Sequence, residues 1–132
     1  MSDATIRQWG TGNETMQDQL GNLNSALSEQ TGDYNYAQQT QISDGVRANS
    51  DYAPLNDGEI FQTGFGNKAV QMQTVPVGVA EDIFANFATV TQNGTGNDSS
   101  QTQWGGNNSS SVLQTGDFNI AVLTQNQNIV QP

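Results

Sequence analysis

Residues 19–41 read QLGNLNSALSEQTGDYNYAQQTQ, and one spacing occurs in them twice. Gln19, Gly21, Asn24 and Ala26 lead to Gln30; Gln30, Gly32, Asn35 and Ala37 lead to Gln41. The same pattern, Gln-x-Gly-x-x-Asn-x-Ala-x-x-x and then the next Gln, returns at Gln62-Gly64-Asn67-Ala69 before Gln73, and at Gln114-Gly116-Asn119-Ala121 before Gln125. Three further units place Thr or Ser at the Ala mark: Gln8-Gly10-Asn13-Thr15, Gln92-Gly94-Asn97-Ser99 and Gln103-Gly105-Asn108-Ser110.

The intervals between these units read as degenerate copies. Residues 51–61 keep Asn56 but carry Asp51 at the Gln mark; residues 81–91 keep Asn86 and Ala88 behind Glu81; residues 41–50 and 73–80 are shortened. The chain therefore divides into a short N-terminal segment, 1–7, and eleven units: 8–18, 19–29, 30–40, 41–50, 51–61, 62–72, 73–80, 81–91, 92–102, 103–113 and 114–124. A partial unit, 125–132, follows.

An eleven-residue period also describes a right-handed helical coiled coil. That reading fails, because each regular unit holds a Gly together with Asn, Ser or Thr, all weak helix formers, and the marked positions are polar. A strand fits. From Asn, the marks at +5, +7 and +11 share one face, with +9 between them, because side chains alternate along a strand with period two. The x-Gly-x-x segment between Gln and Asn is then a tight arc, with Gly supplying positive φ.

Strand plus arc, two units per coil, predicts an all-β, cross-β solenoid of about five and a half coils at ~4.8 Å each. Units n and n+2 should lie over one another, stacking Gln on Gln and Asn on Asn. Each amide NH₂ then donates to the C=O of the next rung, which satisfies polar groups whose burial is otherwise costly. The expected ladder residues are Gln8, Gln19, Gln30, Gln41, Gln62, Gln73, Gln92, Gln103, Gln114 and Gln125, with Asn13, Asn24, Asn35, Asn56, Asn67, Asn86, Asn97, Asn108 and Asn119. The arc glycines are Gly10, Gly21, Gly32, Gly64, Gly94, Gly105 and Gly116. Ala26, Ala37, Ala69, Ala88 and Ala121 keep the two facing sheets close.

Composition explains why such a core is needed. Only 33% of the 132 residues are hydrophobic, too few to offset chain entropy by ordinary apolar burial. With 17 Gln and 15 Asn, about a quarter of the chain, the choice lies between disorder and β-stacking. The period and its agreement with strand alternation decide for stacking. Asp51 and Glu81 break the Gln pattern and read as brakes on premature assembly or as points where an arc opens.

The formal charge of −10 argues against nucleic acid and against insertion into or attachment to anionic membranes. There is no Cys and no His, so nucleophile–base pairs and most transition-metal sites lack their residues. Glu14, Asp18, Glu29, Asp57, Glu59 and Asp98 fall on outward positions or in turns and read as solvated charges that limit lateral aggregation. No calcium-loop motif is present, and no cofactor or enzymatic activity is expected. Trp9, Trp104, Tyr34, Tyr36, Phe61, Phe65, Phe87 and Phe118 are expected in arcs or on outer faces. No basic stretch followed by an apolar run opens the chain, so any export signal is expected to have been removed.

The unit Gln-x-Gly-x-x-Asn-x-Ala-x-x-x-Gln resembles the curlin repeat of curli fibre subunits, over residues 8–124. The resemblance implies a β-solenoid whose copies stack end to end into an extracellular amyloid fibre of the biofilm matrix, mediating surface adhesion. It also implies export across a bacterial outer membrane through a dedicated pore with accessory proteins, and a nucleating minor subunit. The regular spacing of eleven departs from the alternating half-repeats of that family.

The alternative is a soluble secreted β-solenoid binding module, of adhesin or ice-binding type. An ice-binding solenoid usually shows a regular Thr-x-Thr face, and this chain has only isolated pieces of one. Monomeric solenoids also cap both ends. Here the repeat starts at Gln8 and runs close to Pro132, which leads to the expectation of open-ended stacking.

Overall fold

The computed structural model describes residues 2–43, 56–76 and 86–127. These residues form ten strands: β1 (Asp3–Trp9), β2 (Glu14–Gly21), β3 (Asn24–Asp33), β4 (Tyr36–Ser43), β5 (Asn56–Phe65), β6 (Lys68–Val75), β7 (Asn86–Thr95), β8 (Asp98–Trp104), β9 (Ser109–Thr115) and β10 (Ile120–Asn126). Odd strands build one five-stranded sheet, in the order β1-β3-β5-β7-β9; even strands build a second, β10-β8-β6-β4-β2. Every pairing is parallel. Consecutive strands thus alternate between sheets, and each odd–even pair adds one rung to both.

The arcs explain the alternation. Between odd and even strands the chain turns at Gly10, Gly32, Gly64, Gly94 and Gly116, all with positive φ. At Gly64 φ is +119°, and a Cβ would come within 2.0 Å of the Gly94 carbonyl oxygen of the next rung. Both the conformation and the close backbone approach require Gly there.

The register follows the amides rather than a strict count of units. Stacking by n and n+2 would seat Asp51 over Gln30 and Gln62 over Gln41. Instead Gln62 pairs with Gln30, and Gln73 with Gln41. One rung later Gln92 pairs with Gln62 and Gln103 with Gln73, where the count would have seated Glu81 over Gln62. The described strands therefore make five two-stranded rungs rather than five and a half coils. A carboxylate accepts but has no N–H to pass to the following rung, whereas an amide does both. The ladder takes the next position that offers one. Asp51 and Glu81 themselves lie outside the described residues.

Inward side chains fill the space between sheets. Ile60, Val90 and Val112 stack in one column of the odd sheet and meet Ala37 and Ala69 of the even sheet. Around this thread the buried residues are almost all Gln, Asn and Ser. Ala26 and Ala88 on one side and Ala37 and Ala69 on the other are buried, with Gly58 between Ala26 and Ala88 in the stack. These small residues let the glutamines of each sheet reach the backbone of the other.

Candidate functional site

With so little apolar surface, the amides themselves hold the rungs together. In the odd sheet, Nε2 of Gln8 donates to Oε1 of Gln30 at 2.7 Å, Gln30 to Gln62 at 2.8 Å, Gln62 to Gln92 at 2.8 Å and Gln92 to Gln114 at 2.8 Å. In the even sheet Gln19, Gln41, Gln73, Gln103 and Gln125 form the equivalent line at 2.9–3.0 Å. The second N–H of each glutamine but Gln8 crosses to the opposite sheet's backbone; that of Gln8 reaches the Thr15 hydroxyl at 3.1 Å. Gln62 reaches the Tyr36 carbonyl at 2.9 Å, and Gln103 the Phe87 carbonyl at 2.8 Å. One side chain therefore ties both rung to rung and sheet to sheet. Each such bond contributes on the order of 1 kcal/mol net, but orphaning one buried partner costs about 1–3 kcal/mol.

The asparagines form two more lines. Asn24, Asn56, Asn86 and Asn108 bond side chain to side chain at 3.0 Å. Asn13, Asn35, Asn67, Asn97 and Asn119 do so at 2.9–3.2 Å. Asn67 shows why Asn occupies the exit of the arc. Its Nδ2 donates to the Thr63 carbonyl of its own arc at 3.2 Å and to the Gly94 carbonyl of the next at 2.9 Å, while its Oδ1 accepts the backbone N–H of Asn97 at 3.0 Å. In the first odd strand's rung the place of Asn is taken by Ser2, whose Oγ accepts the Asn24 N–H at 3.3 Å.

The two kinds of line run in opposite senses. Glutamine amides donate toward the following rung (Gln8 to Gln30), asparagine amides toward the preceding one (Asn35 to Asn13). The stack is therefore directional even where the residue types repeat.

A further ladder went unread in the sequence. Gln17, Gln39, Gln71 and Gln101 stack in the even sheet at 2.7–3.1 Å. They occupy the +9 position of units 8–18, 30–40, 62–72 and 92–102. That position shares the inward face, but its Gln is absent from alternate units, where the odd sheet places Ser28, Ile60, Val90 and Val112. Searching with a double-length period would have found it.

Outside the ladders, the acids and aromatics lie on outward positions or in arcs, but Asp57 is half-buried rather than solvated. Arg7 pairs with Glu29, and Lys68 with Asp98 at 3.6 Å, each bridging adjacent rungs on an exposed face. Tyr34 and Phe65 make an edge-on contact with centroids 5.5 Å apart. Burial pushes the Asp57 carboxyl above its ordinary value of 3.8, against the lowering effect of a hydrogen bond from Ser25.

The described residues leave unspent amide donors and acceptors at the outer edges of both sheets. No known family model matches this chain, and no curated protein matches it.

Proposed function

We propose that this chain is a structural subunit of an extracellular, curli-like functional amyloid fibre. It is a β-solenoid whose copies stack end to end. The observation that carries this reading is the continuity of two Gln lines and one Asn line through all five described rungs. A stack held by identical repeated bonds has no intrinsic length, and each outer edge offers what the next rung uses. The low apolar content supports it further, because such a chain gains more from extending its ladders than from closing a core. The negative charge keeps free copies soluble and apart until they join.

The curlin resemblance adds the context of this proposal. The subunit is secreted across a bacterial outer membrane through a pore with accessory proteins, is started by a nucleating subunit, and serves biofilm cohesion and surface adhesion. Neither a catalytic group nor a cofactor is part of it.

Purified protein left at room temperature and followed by negative-stain microscopy and thioflavin-T fluorescence tests the reading. Unbranched fibres that bind the dye are expected. A monomer that keeps sharp, dispersed amide resonances for days at micromolar concentration would instead favour a soluble solenoid binding module.

A further inference from the structure

The ladders end differently at the two outer edges. At the β9–β10 edge, the Nε2 groups of Gln114 and Gln125 each give one N–H to the backbone, of Asp98 at 3.1 Å and of Ser109 at 2.8 Å. Their other N–H, which elsewhere in the ladder continues to the next rung, has no partner among the described residues. Oδ1 of Asn119 and of Asn108 likewise accepts nothing there. At the β1–β2 edge the complement appears: Oε1 of Gln8 and of Gln19 and the backbone N–H of Asn13 are without partners among the described residues. Two like edges brought together would set Gln carbonyl against Gln carbonyl. Opposite edges match donor to acceptor at three of these positions: Gln114 to Gln8, Gln125 to Gln19 and Asn13 to Asn119.

Side-chain shape agrees. The left-handed position of the arc is Gly12, Tyr34, Gly66, Gly96 and Phe118 in successive rungs. The rings of Tyr34 and Phe118 lie over Gly12 and Gly96 of the preceding rungs, where a Cβ would meet them at 2.7–2.8 Å. A new first rung placed after the fifth would set Gly12 after Phe118, repeating the internal step from Tyr34 to Gly66. It would also set Ile6, half exposed at its open edge, on Val112 and so extend the apolar thread.

One column does not continue. Gln17, Gln39, Gln71 and Gln101 are followed in the fifth rung by Leu123. Gln17 donates to Gln39 at 2.7 Å, which leaves its Oε1 on the side of the amide away from the second rung. That Oε1 is buried and has no hydrogen-bond partner.

Building on the end-to-end reading, we propose that the β1–β2 edge of one copy docks on the β9–β10 edge of a second copy in the ladder register. Each junction interrupts two ladders: Asn108 meets Ser2, and Gln17 meets Leu123. The second, which leaves the Gln17 carbonyl without an N–H, sets the strength of the contact between copies. Two Gln lines and the Asn13–Asn119 line cross the junction intact. The third Gln line meets hydrocarbon where an N–H is needed, so the boundary between copies is the weakest step along the fibre.

The test uses the 132-residue chain and reads the soluble concentration in equilibrium with fibres at a fixed urea concentration. Leu123→Gln restores the column and should lower that concentration roughly tenfold, the effect of satisfying one buried polar group. Leu123→Met, which fills the space without an amide, should give no gain. Part of the Leu123→Gln gain is internal, through Gln101. Residues 17 and 123 stand four rungs apart, ~19 Å at the ordinary strand spacing, too far to couple within one copy. Combining Leu123→Gln with Gln17→Leu, or with Gln17→Met if the Leu variant loses its β-sheet circular dichroism, should therefore shrink the gain by about threefold or more. Fibres that show the same gain in both backgrounds, or no gain at all, overturn the junction while leaving the fibre reading intact. Failure of the parent chain and all variants to form fibres overturns both.

Discussion

Gln30 stands directly beside Gln62, 32 residues further along the chain, with its amide nitrogen 2.8 Å from the Gln62 carbonyl oxygen. Gln62 passes the same bond on to Gln92. Replacing Gln62 with Ala removes both links and leaves the Gln30 N–H and the Gln92 carbonyl buried without partners. The expected loss is about 2–4 kcal/mol. Urea or guanidinium midpoints of the variant and parent check it; a change like that of an exposed Asn93→Ala control would show that the ladder carries little.

The arcs allow a comparison of two glycines two residues apart. Gly64→Ala drives a methyl into the Gly94 carbonyl at 2.0 Å and should prevent assembly of the native register. At Gly66, φ is +62° and a Cβ meets nothing within 4 Å, so Gly66→Ala should cost only about 1–2 kcal/mol, the left-handed penalty. Gly66→Asn should cost less still, since Asn tolerates that region. Tyr34 and Phe118 already occupy the equivalent position in their rungs. Equal damage at both sites, seen in denaturant midpoints, would contradict the close-approach explanation.

The phase of the strands, the inward face and the Gln and Asn columns were legible in the sequence because an amide must sit on an amide. The arc position of Gly in the seven regular units was legible because a tight arc needs positive φ, and all seven have it. The step from Gln30 to Gln62 was not. Counting by eleven treats Asp51 as a degenerate rung, whereas pairing energy skips a residue that can accept but not donate. The Gln17 column was hidden because it belongs to one sheet alone. Its place in the other sheet is taken by Ser28, Ile60, Val90 and Val112, and the asymmetry between sheets is invisible to a single-unit period.

Charge should govern how fast copies join. The formal charge of −10 makes copies repel, and there is no His to titrate near neutrality, so lag times should shorten with added salt at pH 7 and as pH falls toward the sequence pI of about 4.1. Asp57 adds a stability component. It is half-buried between Ser25 and Phe87 of the neighbouring strands, and its carboxyl lies above 3.8 when folded. The folded form then binds more protons than the unfolded one just above that value, so stability rises as pH falls through the raised pKa and levels off below 3.8. Asp57→Asn should flatten this rise in midpoint-versus-pH curves while leaving the salt effect on lag time in place. Identical slopes in both proteins would remove Asp57 from the account.

Outer rungs and inner rungs should differ in kinetics. Gln114→Ala with Asn119→Ala removes bonds at an edge where copies join, and should slow seeded elongation strongly. Asn56→Ala with Asn86→Ala weakens inner rungs that are already covalently held in place, and should lower stability while leaving elongation comparatively fast. Seeded thioflavin-T kinetics on the two double variants decide between these, with equal slowing, or greater slowing in the inner pair, as the contrary result.

The central claim is that copies, each with five described rungs, continue one another's sheets without a break. Cryo-electron microscopy of the assembled fibres measures this directly through the axial rise per subunit. Five rungs at ~4.8 Å predict a rise of about 24 Å, with the ~4.8 Å repeat uninterrupted across the boundary. A clearly longer rise, with a gap in the strand spacing between subunits, would contradict the account.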